Sequence, residues 1–136
     1  MRRILVGYDG SEPARKALEQ ACALSKHFQC PLCVLTGAAD RLALPHEDAH
    51  QPALEAEPGR RVAEEGARAA LELGVAEVEV RTSIEAPDDA LVLEASDGYD
   101  LLVVGHQSGR PLRERLLGSV AKSVLDRAPC SVLVVR

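Results

Sequence analysis

Between Gly105 and Lys122 the sequence reads GHQSGRPLRERLLGSVAK, and its residue types suit an anion. Gly105, Gly109 and Gly118 carry no Cβ, so main-chain amides can come close to a charged group. Gly118-Ser119 opens a helical pattern, and the first N–H groups of a helix are unpaired and partly positive. A phosphate is favoured at such an end, and Ser119 adds a hydroxyl donor. Arg110, Arg113, Arg115 and Lys122 stand there against Glu114 alone, a local cationic excess in a chain whose net charge is −5. The plainer alternative is a solvated basic loop with Ser119 as a helix cap. The stretch is neither a Walker A motif, G-x-x-x-x-G-K-[ST], nor the dinucleotide fingerprint G-x-G-x-x-G.

A second candidate lies near the start, in VGYDGSE from Val6 to Glu12. Asp9 ends an apolar run, where a carboxylate can accept from a ribose hydroxyl or an adenine amino group. Asp-Gly is equally ordinary turn chemistry. Cys30 and Cys33 form a C-x-x-C. A zinc site wants a second ligand pair, and a redox pair wants a place between a strand and its following helix. This pair falls before and inside a strand, so it is read, with Cys22 and Cys130, as apolar thiols. Free thiols suit a reducing cytosol. His46, His50, Glu47 and Asp48 are read as a solvated polar loop rather than a metal site. Phosphoanhydride hydrolysis needs a positioned base and usually a carboxylate-held metal. Asp9 as a magnesium ligand and His106 beside Gly105 are the only grounds for it.

The elements that must position these residues alternate along the chain. Arg3–Tyr8, Leu32–Thr36, Val75–Thr82, Leu101–Gly105 and Ser131–Val135 read as strands. Glu12–Phe28, Arg60–Leu73, Pro87–Ser96 and Ser119–Arg127 read as helices, from apolar residues at helical spacing. Ser11 is the expected N-cap of the first and Gly74 the stop of the second. Phe28 and Leu73 are expected on the inward faces. Residues 38–59, with Pro45, Pro52 and Pro58, read as a flexible loop or lid. Alternating strands and helices imply α/β class, a three-layer sandwich around a parallel sheet. In such sheets ligands bind beyond the carboxyl ends of the strands, where strand order reverses.

At 136 residues, 46% hydrophobic and 27% charged, the chain is expected to form a single domain, 1–136. Its core must be aliphatic, since Phe28, Tyr8 and Tyr99 are the whole aromatic set. A net acidic chain without aromatic platforms argues against nucleic-acid binding. Neither a signal peptide nor a membrane span is legible, which predicts a soluble, cytoplasmic protein with no membrane partner.

Three stretches resemble the universal stress protein family: ILVGYDGSEPARKALEQA, the Gly105–Val120 loop, and APCSVLVVR at the end. In ATP-binding members the loop reads G-x-x-G, nine residues, then G-[ST]. Here Gly105, Ser108 and Gly118-Ser119 keep that spacing, with Ser108 in place of the second glycine and Gly109 one position later. The resemblance implies an adenine-nucleotide alpha-hydrolase-like fold, a five-stranded sheet of order 3-2-1-4-5 with helices on both faces. It implies ATP, with Mg2+ as a possible companion. Asp9 would face the adenosine, Gly7 and Tyr8 would line its pocket, Gly37 would sit near the adenine and Val104 beside base or ribose. Gly105, Ser108, Gly109, Gly118, Ser119 and Val120 would surround the phosphates. A homodimer through Ser131–Val135 is also implied, and an unpaired apolar edge strand gives that a physical motive. Glu85 stands where the family often has glycine. With Ser108 it keeps open a nucleotide-free dimeric scaffold, and a slow ATP hydrolase is the third reading. A response-regulator receiver is rejected, because the acids it requires after the first and third strands are absent.

Overall fold

Each apolar run becomes a strand and each periodic run a helix, in the order β1 (Ile4–Gly7), α1 (Glu12–Phe28), β2 (Leu32–Thr36), α2 (Pro52–Glu72), β3 (Val78–Thr82), α3 (Pro87–Ala95), β4 (Leu101–Gly105), α4 (Ser119–Arg127) and β5 (Ser131–Val135). The computed structural model describes residues 1–38, 52–107 and 116–136, for 52–58 the backbone alone. The strands form one parallel sheet of order β3-β2-β1-β4-β5. β1 is therefore central, and the order reverses between β1 and β4. β3 and β5 are the edges.

Period-two alternation divides the core between the sheet's faces. Ile4, Val6, Leu32, Val34, Leu101 and Val103 point to α1 and α2. Leu5, Cys33, Leu35, Leu102 and Val104 point to α3 and α4. Both faces are covered, as a parallel sheet requires. Fully burying one such aliphatic side chain contributes about 1.5–3 kcal/mol.

α1 starts where Ser11 Oγ accepts from Ala14 N at 3.3 Å, with a proline in its first turn, and it ends at Gln29 in the left-handed region, φ 53°. It buries Ala14, Ala17, Leu18, Ala21, Cys22 and Ser25. Phe28, expected inward, is 44% exposed, because the apolar stripe runs past the amino edge of the sheet. α2 begins at Pro52, eight residues before the expected start, so Pro58 and Gly59 lie within the helix rather than in a lid. His46, Glu47, Asp48, His50 and the rest of 39–51 lie outside the described residues. At its other end Val75 N donates to Ala70 O and Gly74 N to Leu71 O, with Gly74 at φ +95°. This 6→1 and 5→2 closure turns Val75 into the core. Val75 is 3% exposed and Leu73, expected inward, is 44% exposed. β3 accordingly starts at Val78 rather than Val75.

The amino end of the sheet has its own clasp, remote from the strand exits. The Arg3 guanidinium lies 4.1 Å over the Tyr99 ring and reaches Tyr99 Oη at 2.9 Å and Glu79 Oε2 at 3.3 Å. Arg81 bonds Glu79 and Glu94, which binds the edge strand β3 to α3.

All four thiols are free, with Cys22, Cys30 and Cys33 buried and Cys130 half-buried. Cys30 and Cys33 pack into the clusters on opposite faces of the sheet. Burial pushes the Cys22 thiol from 9.0 up to about 11. A raised folded-state value means stability that is whole below the ordinary thiol pKa and is lost as pH climbs through the folded one. In urea titrations the midpoint should therefore fall between pH 9 and 11, and Cys22→Ala should remove part of that fall; an identical fall in both proteins refutes it. In thiol labelling of the native chain, Cys130 should react first and Cys130→Ser should abolish the fast phase.

Candidate functional site

Three strand exits and two helix starts meet at the carboxyl end of the sheet. At the β1 exit, Tyr8 N donates to Leu35 O at 3.0 Å and Tyr8 O accepts from Thr36 Oγ1 at 2.7 Å. Asp9 Oδ1 then accepts from Ser11 N at 2.9 Å and also from the Ser11 hydroxyl. With Gly10 at φ +81°, this is an Asx turn feeding the α1 cap. The turn reading of Asp9 is thus realised. Its carboxylate is exposed, and one of its two oxygens is committed to the turn. The Tyr8 ring does not line this exit. It is 4% exposed beneath Gly66, where an added Cβ would lie 2.7 Å from Tyr8 Cδ1, and its hydroxyl is 3.5 Å from Glu65. Only the Tyr8 main chain borders the exit, with its N–H and C=O both bonded to β2. Gly7 faces the opposite layer, where a Cβ would meet Leu91 Cδ1 at 2.9 Å.

At the β2 exit, the β3–α3 connection crosses over the backbone. Ala38 N donates to Glu85 O at 2.8 Å, and a Cβ on Gly37 would stand 2.7 Å from Pro87 Cα. Gly37 is glycine because two main chains touch there. Glu85 is exposed, and its N–H is held by Ser83 Oγ at 3.0 Å.

At the β4 exit, Gly105 abuts the start of α1, since a Cβ would come 2.7 Å from Pro13 O. This contact sets Asp9 and Gly105 on the two sides of the gap between β1 and β4. The long loop is closed at its neck. His106 N donates to Val135 O at 2.7 Å and Gly118 N to His106 O at 2.8 Å. Gln107 Nε2 reaches Leu116 O at 3.2 Å. The N-cap of α4 is Gly118, φ −63° and ψ 158°, so Ser119 occupies the first helical position and its hydroxyl makes no capping bond. Ser119 is exposed and Gly118 buried. Because Lys122 N bonds Gly118 O at 3.0 Å, the amides of Ser119, Val120 and Ala121 form the positive first turn. The Val104 and Val120 side chains belong to the second core cluster. Ser108, Gly109, Arg110, Arg113, Glu114 and Arg115 lie outside the described residues.

α4 is fixed to α3 by Arg127, 3.1 Å from Asp88 and 2.9 Å from Asp89. Burial works against the Asp88 charge, but hydrogen bonds from Ser123 and main-chain N–H groups, with Arg127 nearby, hold it below its usual value. Among the described residues no three acids, histidines or cysteines converge as metal ligands. The arrangement offers main-chain donors, one hydroxyl and one carboxylate around a strand-order reversal. Among the described residues the hydroxyl bonded to a carboxylate at the β1 exit is that of Ser11, on Asp9. Thr36 escaped the sequence reading. Its signal was a lone hydroxyl ending an otherwise apolar strand, LCVLT.

The glycine contacts give a direct test. Gly37→Ala and Gly105→Ala each press a methyl into main chain and should cost about 1–3 kcal/mol in chemical denaturation. Gly59→Ala, whose nearest neighbour is 3.9 Å away inside a helix, should instead gain up to about 1 kcal/mol. Equal effects at all three positions contradict the packing described.

Comparison with known proteins gives a consistent result. The model of the universal stress protein family matches residues 1–136. A universal stress protein of Mycobacterium tuberculosis is 30% identical over 144 residues, covering 98% of this chain and 95% of the relative. The solved structure of universal stress protein UspA from Lactobacillus plantarum superposes with a TM-score of 0.82 at 23% identity, covering 99% of this chain and 97% of that one, a likeness of fold. A universal stress protein crystallised in complex with cAMP superposes with a TM-score of 0.77 at 28% identity, over 99% of this chain and 97% of that one.

Proposed function

The chain belongs to the universal stress protein family, and from that premise we propose that it is a regulatory protein holding an adenine nucleotide, ATP by preference, between the exits of β1 and β4. The observation that carries this is the neck of the loop. His106 and Gly118 bond to each other, which holds the positive first turn of α4 at the exit of β4, beside the strand-order reversal. Phosphates take the amides of Ser119 and Val120 and the Ser119 hydroxyl, with Gly105, Ser108 and Gly109 completing the cradle. Gly118 serves by lacking a side chain, since its own N–H is given to His106. The adenosine lies toward Asp9, the Gly7–Tyr8 main chain, Gly37 and Val104. A relative of the same fold at 28% identity is known with cAMP bound, which is consistent with an adenosine at this crevice.

Mg2+ enters with the phosphates rather than as a resident ion, because Asp9 is the one carboxylate among the described residues at the β1 exit and one of its oxygens is engaged by Ser11. In this reading the bound state, not turnover, is the signal, read by partners in the cytoplasm during stress. Glu85 favours one alternative, a nucleotide-free scaffold. Its exposed charge on the loop crossing the β2 exit opposes a triphosphate.

A second copy pairs at β5. Val135 O is taken by His106, and strand groups alternate in direction. The N–H and C=O groups of Val132 and Val134 therefore point off the edge, where an identical strand satisfies them.

Calorimetric titration with ATP, ADP and AMP, with and without Mg2+, tests the site. Binding without phosphate release over hours is the expected result; silence with all three refutes it. Ser119→Ala should weaken ATP by about 1 kcal/mol, one hydrogen bond. It should leave stability unchanged, because Gly118 and not Ser119 is the cap. For the edge, sedimentation should show a dimer that Val134→Pro converts to monomer with the helical signal intact; a monomeric parent overturns the pairing.

A further inference from the structure

Among the described residues, tyrosines and cysteines aside, two polar side chains are buried, Ser25 at 2% and Thr36 at 6% exposure. Ser25 donates to Cys30 O in the turn between α1 and β2, at the amino end of the sheet. Thr36 is at the other end, at the strand exits. Its hydroxyl donates 2.7 Å to the carbonyl of Tyr8, a residue 28 positions away. Its own carbonyl accepts from Ser83 N at 3.1 Å, and its register partner is Thr82 on β3. Its methyl faces α2, 3.9 Å from where a Cβ on Gly59 would stand. Thr36 is thus held by β3 and α2 and acts on β1.

The direction of that bond matters. Tyr8 N donates to Leu35 O, so both polar groups of Tyr8 turn toward β2. A trans peptide is planar, with its N–H opposed to its C=O. Fixing the Tyr8 carbonyl toward β2 therefore aims the Asp9 N–H the other way, into the gap toward β4. The same peptide launches the Asp9–Ser11 turn. The last regular bond of β1 is the one from Tyr8 N; beyond it the Thr36 hydroxyl substitutes for the next ladder bond.

We infer that Thr36 is a positioning residue for the crevice: its hydroxyl orients the Tyr8–Asp9 peptide so that the Asp9 amide and turn face the adenosine end of a bound nucleotide. The inference rests on the nucleotide reading above and adds to it a residue that does not touch the ligand. Thr36 acts at the nucleoside end, so its loss should weaken AMP, ADP and ATP by one common factor. Ser119, at the phosphate end, has no such uniform effect.

The test compares Thr36→Val, Thr36→Ser and Ile4→Val with the parent. Valine keeps the shape and removes the donor, serine keeps the donor, and Ile4→Val trims the core at the far end of β1 as a control for lost stability. Thr36→Val should weaken all three nucleotides about tenfold, the scale of one buried hydrogen bond. It should also speed amide exchange at residues 9–11. Thr36→Ser should bind within about threefold of the parent, and Ile4→Val should bind as the parent does. If the parent binds and Thr36→Val binds equally well, or no worse than Ile4→Val, the positioning role is overturned and the nucleotide reading stands. If the parent binds none of the three nucleotides, both fall together.

Discussion

The peptide that joins Tyr8 to Asp9 is where this sheet stops repeating, and the geometry of its carboxyl end follows from how that peptide is held. β1 is flanked by β2 and β4, whose following segments leave to opposite faces. Up to Val6 the central strand is paired on both sides, and Gly7 is paired with β2. At Tyr8 only the β2 side continues, through Leu35 O and the Thr36 hydroxyl. From that point the chain is free to turn, and Asp9 uses its carboxylate to make the turn rather than to wait for a ligand. The gap on the β4 side is left by topology. It exists because a parallel sheet that reverses its order cannot cover both sides of its central strand's exit.

Glycine sets how tightly the rest can close around that gap. Gly105 admits the Pro13 carbonyl and Gly37 admits the Pro87 backbone, each at a distance no Cβ would allow. These are main-chain contacts, with no side chain to move aside. The start of α1 and the β3–α3 connection are therefore located by backbone against backbone. The turn between β1 and α1 is in turn seated on α2, since a Cβ on Gly10 would meet Val62 at 3.8 Å. Among the described residues, the starts of α1 and α3 are thus fixed at the strand exits by backbone packing.

Much of this was legible in the sequence, and the reasons differ by element. α1, α4, β2, β4 and β5 run over the predicted residues, because each is an unbroken periodic or apolar run bounded by Gly, Pro or Ser. The order 3-2-1-4-5 was legible through family resemblance rather than through periodicity. α2 was read too short because Pro58-Gly59 has the chemistry of a break, and tertiary packing overrode it. Val75 looked like the start of a strand, since an apolar residue after glycine fits both a strand and the capping motif that it actually completes. Tyr8 follows a strand next to Asp9 and so looked like a pocket residue. Its ring instead fills the space above Gly66, a partner 58 positions away. Thr36 showed only as a lone hydroxyl ending an apolar strand, because its partner on the neighbouring strand leaves no mark in local spacing.

The loop and the outer edge of the sheet share one residue without competing for it. His106 gives its N–H to Val135 and its C=O to Gly118, so the neck of the loop hangs from the last residue of β5. Alternation along β5 assigns the inward-pointing groups, including that of Val135, to β4 and the loop. The outward-pointing groups of Val132 and Val134 are left for the proposed partner strand. A two-residue period lets one short strand hold the neck of the loop on one side and offer the proposed association surface on the other. Slipping β5 by a single residue would exchange the two sets and leave neither served. The register Leu133 opposite Val103 is therefore the joint on which both uses depend.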